Sequence, residues 1–291
     1  MQEMEIVFLN DEFVKASEAK VSVFDRGFIF GDGIYEVVPV VNAKIADKEE
    51  FWERFERSLT QIDLQIPYTK EEFENILEQL IIKNSLKEGG LYMQVTRGVA
   101  SRNFALLKGL KPTIMAFAFE CKVIEHEYAK NGVSVISTAD LRWKRRDIKS
   151  ISLLAQCLVK EEATKAKVFE AFMVENALVT EASSSSAFII KDKTLITKPF
   201  SNEILPGIRR KNILKFAKEL DLKVDQRAFS MKEVYEADEV FISAATFLIL
   251  GVIKADSKVI NDGKVGFYTQ KLRKKYVEKI QKEVFNQNLH L

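Results

Sequence analysis

The spacing of apolar residues divides the first 120 residues into short strands and two helices. Val and Ile are frequent in the stretch GDGIYEVVPVVNAKIAD, which predicts a strand, and Asp47 at its end can cap a helix. Apolar residues recur at helical spacing in residues 51–62 and 73–81, so a helix is predicted over each. Thr69 and Glu72 have the spacing of a capping box that begins the second helix. The stretches GLYMQVTRG and PTIMAFAFE predict two more strands.

The rest of the chain also mixes strands and helices. VSVIST predicts a strand, SLLAQCLVKEEATKAK a helix, and VFEAFMVENALVTEAS two strands. A further helix is predicted from Pro206, at the start of PGIRRKNILKFAKEL, and a long charged helix from Phe267. The run SSSS is too short to be a linker and predicts a tight polar turn. We therefore predict two α/β domains, residues 1–122 and 123–291.

Charge and composition limit the class of protein. The 291 residues include 44 Lys and Arg against 42 Asp and Glu, and a net charge of +2 gives no long-range field for holding nucleic acid. A nucleic-acid-binding module is therefore the weaker hypothesis, and a solvated face is the interpretation of the basic residues Arg142, Lys144, Arg145 and Arg146. Two cysteines and two histidines predict neither a disulfide framework nor a metal centre. The lack of a long apolar run and of a signal-peptide pattern predicts a soluble, cytoplasmic protein.

Three features suggest chemistry, although each alone has an ordinary structural explanation. Lys149 stands at a predicted helix head between a basic segment and an apolar run, where partial desolvation favours the neutral amine that an imine requires. Glu181 ends a predicted strand, and LPGIRR enters a helix whose free N–H groups suit a phosphate. The alternatives are a surface lysine, a solvated turn carboxylate and an ordinary helix start. Together, however, a lysine, a carboxylate and a phosphate cradle are what pyridoxal phosphate (PLP) requires.

The chain resembles the class IV, fold-type IV PLP-dependent aminotransferases, and among them most the D-amino-acid aminotransferases. The motifs that carry the resemblance are DRGFIFGDGIYEVV, YMQVTRG, DIKSISLL, VTEASSSSAF and ILPGIRR, which stand in family order along nearly the whole chain. The resemblance implies a two-domain α/β or α+β fold, with a smaller N-terminal α/β domain and a larger C-terminal pseudo-barrel domain. It also implies an active site between the domains and a homodimer. Branched-chain aminotransferases and aminodeoxychorismate lyase share this fold and part of the motifs.

The same resemblance implies the residues that bind the cofactor. Lys149 would form the internal aldimine with PLP and later move a proton between the substrate Cα and C4′ of the cofactor. Glu181 matches the carboxylate that keeps the pyridine nitrogen protonated, so that the ring can accept electrons from Cα. Arg54 matches an arginine that contacts the phosphate. Further phosphate contacts are implied for Ile208, Arg209, Ala245 and Thr246.

Four residues are implied at the substrate. Tyr35 matches a tyrosine of the catalytic pocket, and Val37 is on the same predicted strand. Arg102 matches an arginine, on a loop that reaches across the dimer, that binds the substrate carboxylate. Phe104 stands where D-amino-acid aminotransferases usually carry a histidine. One hydrogen-bond donor for the carboxylate is therefore replaced by an apolar aromatic ring.

The resemblance implies a transferase that moves an amino group between a D-amino acid, such as D-alanine or D-glutamate, and a 2-oxo acid, such as 2-oxoglutarate or pyruvate. An (R)-selective amine transaminase is the alternative that Phe104 favours, because an aromatic ring can contact an apolar group. Aminodeoxychorismate lyase is a more distant alternative. Gln94 stands where branched-chain enzymes carry an arginine, and Ala245 where the family commonly has a threonine. The first departure argues against the branched-chain enzymes, and the second removes a hydroxyl from the phosphate site.

Overall fold

The computed structural model describes residues 2–288, which form two compact units. The N-terminal unit runs to Val123 and also includes Ile148–Ser152 and the described residues from Gln281 onwards. The C-terminal unit consists of the remaining residues. The single boundary predicted near residue 122 differs from this division, because two later segments belong to the first unit.

The N-terminal unit is built on one six-stranded antiparallel sheet. Its strands are β1 (Gln2–Leu9), β2 (Glu12–Lys15), β3 (Gly33–Val41), β4 (Lys44–Ile45), β5 (Gly89–Thr96) and β6 (Thr113–Glu120). The strand order is β2-β1-β6-β5-β3-β4, which places β3 and β5 side by side. Its helices are α1 (Arg26–Phe30), α2 (Lys48–Gln61) and α3 (Lys70–Lys83).

The core of this unit forms where α2 and α3 pack against the sheet. Both helices were predicted from apolar spacing, and Phe51, Phe55 and Phe73 on them are fully buried in one cluster with sheet residues. Burying each such side chain stabilises the fold by about 1.5–3 kcal/mol. The capping box of α3 is confirmed by its reciprocal hydrogen bonds. Asp47 lies at the start of α2 with left-handed backbone (φ 54°) and gives no side-chain capping bond, so that prediction is wrong.

The C-terminal unit is built on a nine-stranded mixed sheet. Its strands are β7 (Val133–Ala139), β8 (Glu170–Glu175), β9 (Leu178–Ala182), β10 (Ser186–Lys191), β11 (Thr194–Ile196), β12 (Lys223–Asp225), β13 (Glu239–Ala244), β14 (Leu248–Ala255) and β15 (Lys258–Val259). The order is β12-β11-β10-β13-β14-β7-β8-β9, with β15 on β14. A three-residue turn joins β9, at one end of this order, to β10 near the other, so the sheet curls into the predicted pseudo-barrel.

Four helices lie in the second half of the described chain, and the last of them enters the N-terminal unit from Gln281 onwards. They are α4 (Leu154–Lys165), α5 (Arg210–Glu219), α6 (Met231–Glu236) and α7 (Phe267–Asn288), with a 3-10 turn at Asn261–Gly263. The long charged helix predicted from Phe267 is thus confirmed as α7. Within residues 2–288, no helix combines the length and the apolar composition that crossing a bilayer requires.

Candidate active site

Lys149 lies in a short segment beside β3, in the N-terminal unit. The Tyr35 amide nitrogen donates a 2.9 Å hydrogen bond to the Lys149 carbonyl, and Ser150 forms a β-bridge with Ile34. The Nζ atom of Lys149 lies 4.1 Å from the centroid of the Tyr35 ring, within cation–π range. The predicted position at a helix head is wrong, because this segment bonds to β3 and α4 begins only at Leu154.

The face of β3 that carries Tyr35 also carries Val37, since side chains two positions apart in a strand point the same way. Both side chains are half-buried. The Tyr35 ring stacks on the Tyr92 ring of β5, with 5.5 Å between their centroids. Tyr92 Oη donates a 2.9 Å hydrogen bond to Gln94 Oε1, and burial raises the pKa of Tyr92, so the phenol stays protonated. The lysine amine therefore faces an aromatic surface with neutral hydrogen-bonding groups beside it.

Arg54 on α2 forms a buried, two-pronged ion pair with Glu36 of β3. Its Nε atom donates to Glu36 Oε1 at 2.7 Å, and its Nη2 atom donates to Glu36 Oε2 at 2.6 Å. The Glu36 side chain is fully buried, on the face of β3 opposite Tyr35. Such a pair fixes the plane of the guanidinium, because both hydrogen bonds must be kept together. Arg54 is therefore a cation of fixed orientation rather than an exposed position on an amphipathic helix.

Arg102 and Phe104 lie on the loop between β5 and β6. The Arg102 guanidinium lies 5.0 Å from the centroid of the Phe104 ring and 5.8 Å from that of Phe30. The two rings themselves are 5.4 Å apart, and Phe104 is 76% exposed. The buried Arg26 donates from Nη1 to the Asn103 carbonyl at 2.5 Å, which ties the loop to α1. Arg102 is thus held by two aromatic rings at the surface of this unit.

Glu181 is the last residue but one of strand β9 and a buried carboxylate of the C-terminal unit. Its Oε1 atom accepts a hydrogen bond from Arg142 Nη1. The Leu205 amide nitrogen donates to Oε1 at 3.2 Å and to Oε2 at 3.3 Å. Burial raises the pKa of Glu181, and the Arg142 guanidinium opposes that rise. The balance between these two effects decides whether the carboxylate is charged.

The four basic residues interpreted as a solvated face divide into two kinds. Arg142 is only 9% exposed and Arg146 only 3%, and both form ion pairs with the buried Asp140. Lys144 is exposed and Arg145 is half-buried. The interpretation is wrong for Arg142 and Arg146. Their guanidinium groups are buried because they pair with Asp140, a partner that the sequence pattern did not indicate.

The residues before α5 form a tight turn. The helix predicted from Pro206 begins instead at Arg210, whose amide nitrogen donates to the Gly207 carbonyl at 3.1 Å. A Cβ atom at Gly207 would lie 2.6 Å from Ser186 Oγ, so a larger residue would need Ser186 to move. The sequence PGIR therefore forms a turn that leads into the helix, with Gly207 close to Ser186 at the start of β10.

The helix start is joined to the turn between β13 and β14. Arg209 Nη2 donates a 2.8 Å hydrogen bond to the Ala245 carbonyl, and the Arg209 guanidinium lies 4.9 Å from the Tyr276 ring centroid. Ile208 and Arg209 are buried, whereas Ala245 and Thr246 are half-buried. Four of the residues implied for phosphate binding thus lie on two adjoining backbone segments of one unit. Ala245 brings no hydroxyl to this place, but its neighbour Thr246 carries one.

A buried carboxylate organises the serine turn after Glu181. Glu170 on β8 accepts hydrogen bonds from the hydroxyls of Ser183, Ser184 and Ser185, at 2.7 Å from Ser184 and 3.3 Å from Ser185. The Glu170 side chain is fully buried. The tight polar turn predicted from SSSS is confirmed, and its cause is a carboxylate that the serines surround.

Sequence reasoning missed three acidic residues at these sites. Glu36, Asp140 and Glu170 are each buried, and each lies within or at the end of an apolar strand. A carboxylate in such a run signals a buried partner, because an ionised carboxylate is almost never fully buried unpaired. That signal was present in IYEVVPVV, although it does not identify the partner.

Comparison with known proteins agrees with these motifs. The family model described as Amino-transferase class IV matches residues 33–255. A D-alanine aminotransferase of Staphylococcus aureus strain N315 is 42% identical over 279 residues, which cover 94% of this chain and 99% of that protein. A D-alanine aminotransferase of Bacillus licheniformis is 36% identical over 267 residues, with 92% and 94% covered.

Solved structures share the fold at lower sequence identity. A branched-chain amino acid aminotransferase of Escherichia coli has a TM-score of 0.89 at 23% identity, with 95% of each chain covered. A branched-chain aminotransferase from the thermophilic archaeon Thermoproteus uzoniensis, solved with norvaline, has a TM-score of 0.81 at 26% identity, with 96% and 97% covered. The motifs, the matched family model and the long alignments with the curated relatives agree, and the chain belongs to the class IV aminotransferases.

Proposed function

We propose that this chain is a PLP-dependent transaminase that moves an amino group between a D-amino acid and a 2-oxo acid. D-alanine or D-glutamate would be the donor, and 2-oxoglutarate or pyruvate the acceptor. The observation that carries the proposal is the position of Lys149, whose amine lies 4.1 Å from the Tyr35 ring on a segment bonded to β3. The D-amino-acid donor is supported by the relatives named D-alanine aminotransferase, which align with nearly the whole chain.

Each unit carries groups of the kinds that PLP requires. The N-terminal unit would supply the Lys149 amine and the fixed Arg54 cation. The C-terminal unit would supply the Glu181 carboxylate for a pyridine nitrogen and the backbone around Arg209 for a phosphate. When bound, PLP supplies an electron-withdrawing ring that stabilises negative charge at the substrate Cα.

Each residue then has a physical task. Lys149 Nζ would hold the cofactor covalently and carry a proton between the substrate Cα and the cofactor C4′. An ionised Glu181 would keep the pyridine nitrogen protonated. Arg54 would face the phosphate with a guanidinium whose plane Glu36 fixes. Tyr35 and Val37 would contact the substrate, since they share the face of β3 on which the lysine amine lies.

Arg102 would bind the substrate carboxylate, and we propose that it serves the neighbouring subunit of a homodimer. The support is its exposed position between Phe30 and Phe104, on a loop tied to α1. Light scattering at the protein concentration used for assays should give the mass of a dimer. A fully active monomer would contradict this part of the proposal.

A second candidate is an (R)-selective amine transaminase. It is favoured by one observation, the 76% exposed Phe104 ring beside Arg102. An apolar group on an amine could pack on this ring, whereas a carboxylate gains nothing from it. Both candidates use Lys149 and Glu181 in the same way, so the donor alone separates them. A cytoplasmic location also stays a prediction.

The first test is chemical capture of the cofactor. The protein is purified with PLP, reduced with borohydride, digested and analysed by peptide mass spectrometry. A pyridoxyl label on Lys149 is expected, with none in Lys149→Ala, and Lys144→Ala is the matched control that should keep the label. A label on another lysine, or normal transamination by a folded Lys149→Ala protein, would overturn the assignment.

A further inference from the structure

A row of alternating buried charges lies behind Glu181 in the C-terminal unit. Arg142 donates a hydrogen bond from Nη1 to Glu181 Oε1 and binds Asp140 through its other two nitrogens. Its Nε atom donates to Asp140 Oδ1 at 3.0 Å, and its Nη2 atom donates to Asp140 Oδ2 at 2.7 Å. The Arg142 amide nitrogen also donates to Asp140 Oδ1, at 3.1 Å. The guanidinium is therefore held between two carboxylates.

The row continues from Asp140 to the surface. Asp140 accepts a 2.7 Å hydrogen bond from Thr180 Oγ1 and lies 3.1 Å from Arg146 Nη1. Arg146 Nη1 donates to Glu175 at 2.8 Å, and Glu175 also binds the exposed Lys144. Three carboxylates thus alternate with three cations, so that no two carboxylates are adjacent in the row. A buried row of this kind holds its members in fixed positions, because moving one would leave a neighbour's charge uncompensated.

The ion pair with Asp140 limits which N–H donors of Arg142 can bind Glu181. An unrestrained guanidinium prefers to bind both oxygens of a carboxylate with two parallel hydrogen bonds. Here the edge formed by Nε and Nη2 is bound to Asp140, and Nη2 also contacts Thr180 Oγ1 at 3.5 Å, so Nη1 alone is left for Glu181. Arg142 consequently meets Glu181 end-on, at Oε1, while Oε2 accepts the longer 3.3 Å bond from the Leu205 amide. A second donor can still approach Oε2.

We infer that Arg142 and Asp140 are positioning residues: Arg142 keeps Glu181 ionised, and Asp140 keeps the Oε2 atom of Glu181 open to the nitrogen of a pyridine ring. The inference rests on the role proposed for Glu181. The two residues divide the task. Arg142 supplies the opposite charge that a buried carboxylate needs, and Asp140 keeps that cation from covering both oxygens. Neither residue touches the cofactor in this account.

Glu181 is titrated first, in protein without cofactor, by NMR of ¹³C-labelled glutamate carboxyls, with Glu181→Gln to assign the signal. Arg142→Gln should raise the midpoint of the Glu181 titration by about 1–3 pH units, because the opposing cation is removed while burial persists. Arg142→Lys should recover part of this change, since it restores the charge. Arg145→Gln is the matched control and should leave the midpoint unchanged, because Arg145 pairs with Asp147 instead.

The second measurement is NMR of the pyridine nitrogen in the protein loaded with PLP. With ¹⁵N-labelled PLP, the pyridine nitrogen should have the shift of a protonated nitrogen in the parent and of a neutral one in Arg142→Gln. Asp140→Asn should also move the signal towards neutral, because the freed guanidinium can then cover both oxygens of Glu181. This variant keeps the Arg142 charge, and it tests the inference even if Arg142→Gln does not fold.

The inference is overturned if Glu181 titrates alike in the parent and in Arg142→Gln, or if Asp140→Asn leaves the nitrogen signal unchanged. Failure of the proposed function would look different. It would appear as the absence of a pyridoxyl label on Lys149, whereas failure of this inference would appear in a protein that carries the label.

Discussion

At Glu181, burial and ion pairing act on one carboxylate in opposite directions. Burial raises its pKa, and the guanidinium of Arg142 opposes the rise. The residue is suited to its proposed task only while it is charged, since a neutral group cannot keep a pyridine nitrogen protonated. Its function therefore depends on neighbours that a local sequence pattern does not reveal, because Arg142 and Leu205 are far from it in the chain.

Replacing the charge tests this role. We expect Glu181→Gln to bind PLP but to react with D-alanine on the order of 10²-fold more slowly, as when one preorganised electrostatic contact is lost. Single-turnover mixing measures the rate without product release. Ser184→Ala, in the neighbouring turn, is a control that keeps the carboxylate. An unchanged rate constant in Glu181→Gln would count against the role.

Phe104 decides between the two candidate donors. Phe104→His would restore a hydrogen-bond donor beside Arg102, and a charge-assisted hydrogen bond is worth about 1.5–3 kcal/mol. The KM for D-alanine should therefore fall roughly tenfold or more, while the half-reaction with (R)-1-phenylethylamine should slow. Leu106→His, on the same loop, is the control. If neither donor responds to Phe104→His, then Phe104 does not line the site and the amine reaction loses its support.

Among the elements, α2, α3 and the strands could be predicted because their signals are local. Phe51, Phe55 and Phe73 are spaced by the helical period, and packing on the sheet satisfies the pattern directly. The Thr69 capping box is equally local and is confirmed. The start of α5 could not be predicted from the sequence, because the turn before it depends on the close contact between Gly207 and Ser186, which lies on β10.

The pair of Arg54 and Glu36 links α2 to β3, and breaking it should destabilise the N-terminal unit. Glu36→Gln leaves the Arg54 charge buried without its carboxylate, and a loss of about 3–5 kcal/mol in unfolding free energy is expected. Urea titration of the protein without cofactor, followed by tryptophan fluorescence, measures it. The control is Glu161→Gln, which breaks an exposed pair with Lys165 and should cost under about 0.5 kcal/mol. Equal losses in the two variants would contradict this account of the pair.

At the scale of the whole molecule, the division of the chain was the hardest feature to predict. Residues 148–152 follow a long stretch of the C-terminal unit, yet their backbone bonds go to β3 in the N-terminal unit. The spacing of apolar residues does not reveal that the chain comes back to the N-terminal unit here, because the partners Lys149 and Tyr35 are far apart in sequence. The motif DIKS identified the lysine by resemblance, and the structure supplies the reason for its place, which is pairing with β3 rather than a helix start.

The central claim is that Lys149 serves the transamination of D-amino acids, and one measurement tests it most directly. The PLP-loaded protein is mixed in a stopped-flow spectrometer with D-alanine and, separately, with L-alanine, without any 2-oxo acid. The visible absorbance of the bound cofactor should be lost with D-alanine, pyruvate should form in equal amount, and added 2-oxoglutarate should restore the absorbance. With L-alanine the loss should be at least 10²-fold slower, by a difference of about 2.7 kcal/mol in activation free energy. Equal rates with the two enantiomers, or no loss with D-alanine, would contradict the account.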